Sequence, residues 1–436
     1  MVAPLNVGLI GFGNIGTGVL RALATNGALI TPRVPHPIQI KRIADLDTTT
    51  PRNAPYEPGI LTNDVDALLN DPEINVVLEL TGTMDFAREL IDRALKAKKH
   101  VVTANKALLA VHGMDLMRTA VDNKVCLLFE AAVGGGIPLI RTLHQGLAAN
   151  DIQAIRGIIN GTANYILTEM TERQLDFNIA LEQAQKLGYA EPDPTFDVEG
   201  HDTAHKLAIL ASLCFNQDIR FEDVAREGIT RVTAVDIAFA AELGYTIKLL
   251  GIAKRHPDDS VEARVHPTLL PSDSRLASVN GVFNAVRIDG NLTGPVILSG
   301  RGAGPDPTAS AILSDLMVLA SAKAEGGLRR EMRLSVATGR KKVRPMDDLL
   351  TAYCIRFGMM DRPGAMAQIL RALGEHNVSV ASIKQPFRQQ HQESFAHVLV
   401  VTHEAKESDL RASLKNIETL EVNRAEPFVM YIEEMD

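Results

Sequence analysis

Glu191, Asp202 and Lys206 stand within sixteen positions of one another. Carboxylates suit an ammonium group on a small molecule, and a lysine amine suits proton transfer to a carbonyl oxygen. Asp202 and Lys206 are four residues apart, so in a helix they share one face. The elements that must hold them can be read around the stretch Gly188-Tyr189-Ala190-Glu191-Pro192-Asp193-Pro194-Thr195-Phe196-Asp197. Gly188 closes a helical run from Ile179 to Leu187. Pro192 and Pro194 forbid helix and stiffen a loop that carries Glu191, Asp193 and Asp197. A new helical pattern runs from Asp202 to Leu210. The plain alternative is an acidic surface loop beside an ordinary helix ion pair, and spacing by itself favours that alternative.

A second centre of chemistry lies at the start of the chain. Asn6 to Ile10 is a short apolar run of buried-strand type. Gly11-Phe12-Gly13-Asn14-Ile15-Gly16 follows directly, and helical character resumes at Val19. The spacing is GxGxxG between strand and helix. Its glycines make the tight turn and let backbone approach a pyrophosphate at the helix N-terminus. The next strand, Ile38 to Ala44, ends at Asp45, further from the glycines than is usual because Thr31 to Pro37 intervenes. Asp45 favours a free ribose 2′-hydroxyl and hence NAD. Lys41, Arg42 and Arg52 keep NADP open.

Strand and helix patterns then alternate: Asn75–Leu80, a helix from Asp85 to Lys98, His100–Thr103, and Val125–Phe129. Such alternation predicts a doubly wound parallel sheet of Rossmann type, with ligands beyond the carboxyl ends of its strands. Thr81, Lys106 and Glu130 fall at such ends, although Lys106 also reads as a solvated loop lysine. Beyond Asp151 the character changes. A strand from Ile155 to Ile159 leads through Asn160-Gly161-Thr162 into a helix, and strands follow at Thr246–Ala253, Val261–Val265, Asn284–Ile288 and Val296–Leu298. The turn Gly300 to Pro305 and the helical run Ala309 to Ala320 return the chain to the first domain, or make an ordinary connection. Lys341 to Pro345 reads as a linker. The last stretch has a βαββαβ order, with Asp361-Arg362-Pro363-Gly364 opening its first helix. The predicted domains are 1–140, completed by about 300–345; an α+β domain at 141–299; and a small module at 350–436.

Composition sets the bounds. The 436 residues imply two or three domains, and 46% hydrophobic with 22% charged content is globular. No apolar run approaches a membrane span, and the first residues lack the basic region of a secretory signal. Cys126, Cys214 and Cys354 are too few and too scattered for a disulfide framework or a cysteine-rich zinc site, which fits a cytoplasmic protein. The net charge of −8, without Lys/Arg runs, argues against nucleic acid. His201 and His205 lack accompanying ligands and read as structural.

These residues resemble homoserine dehydrogenase, in the form with a C-terminal ACT domain. The resemblance covers essentially the whole chain, and implies a substrate and dimerisation domain at 141–299 and a regulatory ACT domain at 350–436. It rests on Gly188 to Pro194 with Asp202 and Lys206, Thr103-Ala104-Asn105-Lys106, Asn160-Gly161-Thr162, and the turn from Gly302 to Ser310. It implies reversible NAD(P)H-dependent reduction of aspartate 4-semialdehyde to homoserine, in the biosynthesis of threonine, methionine and isoleucine. Lys206 would be the proton donor, Glu191 and Asp202 would bind the substrate, and Lys106 and Gly188 would line the site. Phe12, Gly13, Asn14, Ile15, Thr81 and Gly302 would contact the cofactor. A sodium-type cation would lie at Glu130, Val133, Gly135 and Ile137, held largely by backbone carbonyls, as suits a hard ion. The ACT module suggests threonine as effector, near Gly364 and Asn377, and a homodimer or homotetramer. Two alternatives are a thioester-forming semialdehyde dehydrogenase, which would need a reactive cysteine, and a catalytically silent nucleotide and amino-acid sensor.

Overall fold

The computed structural model describes residues 2–324, 343–385 and 396–435. Lys341 and Lys342 of the expected linker lie outside the described residues. The first elements in chain order are β1 (Leu5–Ile10), α1 (Asn14–Ile30), β2 (Ile38–Ala44), β3 (Leu61–Thr62), α2 (Val65–Leu69), β4 (Val76–Glu79), α3 (Asp85–Lys96) and β5 (His100–Thr103). Next come α4 (Lys106–Asp122), β6 (Leu127–Leu128), α5 (Leu139–Arg141), β7 (Ile152–Ile158), α6 (Gly161–Arg173), α7 (Phe177–Lys186), α8 (Thr195–Val198) and α9 (His201–Phe215). Then follow β8 (Ala225–Arg226), α10 (Ala234–Glu242), β9 (Tyr245–Arg255), β10 (Val261–Pro271), β11 (Phe283–Gly290), β12 (Gly294–Arg301) and α11 (Pro305–Ala324). The C-terminal module holds β13 (Leu350–Met359), α12 (Ala365–Glu375), β14 (Val380–Lys384), β15 (Ala396–Thr402), β16 (Ala405–Lys406), α13 (Glu407–Glu418) and β17 (Asn423–Ile432). No helix among the described residues is long and apolar enough to cross a membrane.

The chain divides into two compact units. The first comprises the described residues within Met1–Ile155, His205–Val224 and Phe283–Lys341. Its sheet is six-stranded in the order β3-β2-β1-β4-β5-β6. Every pairing is parallel, as the alternating pattern predicts. The central strands β1 and β4 are largely apolar and buried because helices cover both faces. Val7, Leu9, Val76, Leu78 and Val102 form one buried cluster with Val19 and Leu20 of α1 and Ile312 and Leu316 of α11. The strand expected over Val125–Phe129 shrinks to Leu127–Leu128. Val125 N–H instead closes on Ala120 O at 3.0 Å, and Ala132 N–H on Phe129 O at 2.9 Å, so turns take both ends.

The second unit comprises the described residues within Arg156–Ala204, Ala225–Val282 and Lys342–Asp436. Its strands run β7-β9-β10-β17-β13-β15-β14. The C-terminal module is βαββαβ, with β13 antiparallel to both β15 and β17. Tyr353, Ile355 and Phe357 of β13 pack on Ile369 and Leu373 of α12 and on Leu410 and Ile417 of α13.

β10 runs on to Pro271, well past the Val265 at which the apolar reading stops. The cause lies in its alternation. Glu262, Arg264, His266 and Thr268 occupy one face at period two, yet all are buried. That face meets the last strand. β17 pairs parallel with β10 at Thr268 and Leu269. Glu433, just beyond β17 and 3% exposed, accepts from Arg264 at 3.2 Å, from Lys254 at 2.7 Å and from Arg156 at 2.6 Å. Despite its burial these three cations hold the Glu433 carboxyl down at about 2. The C-terminal module is thereby ionically locked to the neighbouring strands of its own unit.

Removing one partner of a buried network strands the others, at a cost of about 3–5 kcal/mol. Glu433→Gln is therefore expected to lower the unfolding midpoint strongly at pH 7. The Glu433 carboxyl titrates lower in the folded chain than in the unfolded one. Its contribution is thus complete above about 4.5 and is lost as pH falls towards about 2. The gap between wild type and variant in thermal unfolding should close over that window. A gap that is absent at pH 7, or unchanged at pH 3, contradicts the lock.

Candidate active site

The glycine loop follows β1 directly. Gly11 has φ +96°, and a Cβ there would stand 2.6 Å from the Leu80 carbonyl. A Cβ on Gly16 would meet Gly11 O at 2.6 Å. Both positions require glycine. Gly13 caps α1 with open space above it and no side-chain cap, and Asn14 and Ile15 begin the helix. The first-turn amides are thus available to a phosphate. Phe12 is buried, and its N–H donates to Asp45 Oδ2. Asp45 Oδ1 accepts from Asp47 N–H at 2.9 Å. Arg52 donates to Phe12 O at 2.8 Å and lies 3.7 Å from Asp45. The acid at the end of β2 therefore stands beside the glycine loop with a guanidinium next to it. This loop and strand end suit a dinucleotide.

Glu79 organises the next strand ends, a role its place in an apolar strand did not reveal. Its wholly buried carboxylate accepts from Thr81 N–H at 2.8 Å, Thr81 Oγ1 at 2.7 Å and Thr103 Oγ1 at 2.7 Å. Thr103 Oγ1 accepts from Asn105 N–H at 3.0 Å, and Asn105 Oδ1 caps α4 through Leu108 N–H at 3.2 Å. Lys106 is the first residue of that helix and is half-buried. Thr81 and Lys106 are thus set by one carboxylate.

Glu130 and the turn after it use their polar groups internally. Glu130 N–H donates to Asp315 at 3.0 Å. Its carboxylate accepts from Ile140 N–H at 2.8 Å and Arg141 N–H at 2.9 Å. Burial pushes the Glu130 carboxyl up, against those amides. Val133 is buried, and Gly134 and Gly135 both have positive φ, +75° and +53°. Ile137 N–H closes this turn on Gly134 O at 2.9 Å. A Cβ on Gly135 would stand 2.6 Å from Gly302 O, and one on Gly302 would fall 2.1 Å from the Asn284 amide. Three segments of the first unit therefore touch at backbone level. No cluster of three or more His, Cys, Asp or Glu suited to a metal occurs among the described residues.

In the second unit, Gly188 ends α7 with φ +75°, as its place after a helical run predicts. Tyr189 N–H returns to Ala184 O at 2.8 Å. Thr162 Oγ1 donates to Tyr189 O at 2.7 Å. Glu191 is exposed, and its carbonyl accepts from Gln185 Nε2 at 3.1 Å, leaving the loop fixed and its carboxylate outward. Asn160, 5% exposed, is the hub. Its Oδ1 accepts from Ala163 N–H at 2.7 Å and so caps α6. Its Nδ2 donates to Asp197 at 2.6 Å and to Asp202, 2% exposed, at 2.8 Å. Lys206 stands one turn beyond Asp202 on α9 and is nine-tenths buried. The unit boundary falls between Ala204 and His205 on this helix. The pair is thus no solvated surface pair. Lys248, another buried lysine, donates to Val279 O at 2.7 Å and Asn164 at 3.2 Å, and burial lowers it to about 8. It supports α6.

His201 and His205 behave as structural residues. His201 accepts from Arg226 at 3.1 Å, and His205 stacks on Phe221 at 4.1 Å. Cys126 and Cys354 are buried, and burial raises the Cys354 thiol to about 12. Cys214 is only half-buried. A cavity of about 560 Å³ touches Leu5, Asn75, His100 and Lys323 at the amino ends of β1, β4 and β5. Ligands of this sheet type sit at the opposite, carboxyl ends, so that cavity is not the reaction site.

A sheet of this order with such a glycine loop defines a dinucleotide-binding enzyme of Rossmann type. Family models described as the NAD-binding domain of homoserine dehydrogenase, homoserine dehydrogenase, and the ACT domain match residues 11–130, 138–317 and 355–422. The homoserine dehydrogenase of a Synechocystis species is 43% identical, over 98% of this chain and 99% of its own. That of Pseudomonas aeruginosa is 41% identical over 96% of each. A crystal structure of a homoserine dehydrogenase from Thiobacillus denitrificans superposes with TM-score 0.90 at 38% identity, covering 99% of both chains. A hyperthermophilic archaeal homoserine dehydrogenase solved with NADPH has TM-score 0.60 at 26% identity, covering 75% of this chain and all of that one. The chain belongs to the homoserine dehydrogenase family, NAD(P)-dependent oxidoreductases acting on a CH–OH group.

Asn160→Ala removes a helix cap, worth about 1 kcal/mol, and leaves buried Asp202 without this donor, at a further ~1–3 kcal/mol. The expected result is a clear fall in unfolding midpoint, with Asn160→Asp worse still because it sets a third carboxylate beside two. An Asn160→Asp variant as stable as wild type at pH 7 refutes the clamp.

Proposed function

We propose that the chain reduces aspartate 4-semialdehyde to homoserine, reversibly, as a step towards threonine, methionine and isoleucine. The carrying observation is a buried Asp202–Lys206 turn of α9 whose carboxylate is held by Asn160. A buried lysine and carboxylate one turn apart are costly unless used or fully paired.

NAD(P)H, when bound, supplies the hydride. Gly11 to Gly16, Thr81 and Gly302 would hold it, and Asp45 with Arg52 would receive the ribose end. The archaeal relative's NADPH and the guanidinium beside Asp45 support accepting either nicotinamide. Glu191 and Asp202 grip the substrate ammonium and orient the aldehyde, with Gly188 lining the pocket. Lys206 donates a proton to the carbonyl oxygen as negative charge develops there, and Lys106 stabilises that charge. A sodium-type cation would take carbonyl oxygens of Val133, Gly135 and Ile137. The Glu130 carboxylate is engaged by Ile140 and Arg141, which fits a site made mainly of backbone oxygens. Free cysteines fit a cytoplasmic enzyme, working as a homodimer or homotetramer. Functionally we divide the chain at 140, 299 and 350.

Lys206→Ala is expected to abolish turnover at every pH while NAD(P)H still quenches or shifts its fluorescence on binding. Glu191→Leu should raise the homoserine KM at least tenfold and leave cofactor affinity unchanged. Normal turnover in the first variant, or normal homoserine dependence in the second, removes the assigned role.

The ACT module supports feedback by threonine. Gly364, φ +83°, opens α12, and Asn377, φ +59°, ends it through Val378 N–H to Leu373 O at 3.0 Å. The Gly364 turn presents backbone amides at a helix start, which suit a carboxylate. Initial rates of the full chain should fall with added threonine. Rates that stay level to millimolar threonine make the module an assembly element.

A further inference from the structure

Lys41, Arg42 and Arg52 are the cations that the sequence offers to the 2′-phosphate of NADP, and the structure gives each of them other partners. Lys41 pairs with Glu73 and, at 3.3 Å, with Asp71, and Arg42 lies 3.5 Å from Asp71. Asp71 lies in the connection entering β4 at its amino end, whereas Asp45 follows the carboxyl end of β2. We propose that Asp47 acts with Asp45 to exclude a 2′-phosphate, so that this chain binds NADH more tightly than NADPH. The inference rests on the cofactor role proposed above for the glycine loop and Asp45, and it sharpens that role.

Arg52 stands beside Asp45, but the loop it sits in consumes it. A guanidinium offers a fixed fork of N–H donors and no acceptor. Nε donates to Phe12 O at 2.8 Å, Nη2 to Asp47 O at 3.0 Å, and Nη1 to Thr50 O. Nη2 also lies 3.7 Å from Asp45 Oδ1, and Nη1 lies 3.5 Å from Asp47 Oδ2. The side chain is 13% exposed. Backbone carbonyls and two carboxylates thus surround its positive charge, and a phosphate arriving there meets both acids. Asp47 closes the turn from the other side. Its Oδ1 accepts from Thr49 N–H at 3.0 Å, Thr49 Oγ1 at 3.0 Å and Thr50 N–H at 2.9 Å. Successive amides in a turn form a concave donor set of the kind that cradles an anion. Here the chain's own carboxylate fills it. Thr50 and Thr49 together hold the Asp47 carboxyl well below the usual carboxylate range, so it is charged at neutral pH.

The turn is fastened to the glycine loop itself. Phe12 N–H donates to Asp45 Oδ2, Phe12 O accepts from Arg52, and the guanidinium lies over the Phe12 ring, 5.6 Å from its centroid. Asp47 N–H donates to Asp45 Oδ1 at 2.9 Å, which ties one acid to the other. Both carboxylates therefore keep fixed places beside the helix start assigned to the pyrophosphate. A ribose 2′-hydroxyl can donate to a carboxylate. A 2′-phosphate instead brings a charge of about −1.5 to −2 to a turn that already holds two acids. Repulsion of the wrong partner gives selectivity without any added contact to the right one.

Calorimetry on the full chain without substrate tests the preference apart from the dehydrogenase roles. NADH should bind about tenfold more tightly than NADPH, or more so. Asp47→Asn keeps an oxygen for the Thr49 and Thr50 amides and removes only the charge. It should tighten NADPH about fivefold, with NADH affinity and melting temperature unchanged. Asp47→Ser, which also empties the turn, should tighten NADPH further. The ratio of kcat/KM for NADPH to that for NADH should rise in step in both variants, a change that a loop merely loosened by substitution does not produce. Wild type that binds NADPH as tightly as NADH, or more tightly, overturns the proposal, as does an Asp47→Asn variant with the wild-type ratio of affinities. Binding of neither nucleotide removes the cofactor assignment of the glycine loop, and the proposal with it.

Discussion

One amide holds the proposed substrate machinery together. Asn160 caps α6 with its oxygen and bridges Asp197 and Asp202 with its nitrogen. Two carboxylates this close repel each other and would separate or take up a proton. A shared N–H₂ donor lets both remain together without adding a mobile positive charge. Lysine in that place would neutralise the pair and compete with the substrate ammonium. Asparagine orders the acids and leaves their charge available. Asn160 is itself fixed by the end of β7 and by the first turn of α6, so the loop from Gly188 to Asp197 and the start of α9 inherit the rigidity of that strand.

Glu79 does the equivalent work in the first unit. A carboxylate buried at the end of β4 is affordable because it accepts three hydrogen bonds, from Thr81 twice and from Thr103. Through Thr103 and Asn105 it fixes the helix start at Lys106. In the first unit a short polar side chain at a strand end sets the helix turn that carries Lys106, and in the second Asn160 caps α6 and reaches across to Asp202 in the first turn of α9. Chain ends on rigid elements hold a group more closely than a free loop does.

Much of the fold was legible because local signals agreed. The period of apolar residues, the glycines at 11, 13 and 16, and Gly188 after a helical run all point one way, and the parallel order β3-β2-β1-β4-β5-β6 follows. The roles of Asn160 and Glu79 were not legible for a different reason. The partners of Asn160 lie 37 and 42 residues away, and no local pattern encodes a distance of that kind. Asn160 before a helical run does signal a cap, but a cap predicts one bond and not the other two. The polar stripe of β10 misled for a third reason. A charge in an apolar run reads as an interruption, whereas here it marks burial with a partner supplied by the remote C-terminus.

That stripe alters what the C-terminal module can be. Residues 350–436 look separable in sequence, as a small fold with its own core. In the structure β17 pairs with β10, and Glu433 receives Arg264, Lys254 and Arg156. Deleting the module would take their shared acid from Arg264, Lys254 and Arg156 and bare the edge of β10 that β17 covers. A module fastened this way cannot act by coming and going. Any influence it has on Asp202 must pass through small displacements of packed backbone, and the close approach of Gly228 to Val198 and Glu199, with Ile229 N–H on Val198 O, is where the two segments meet.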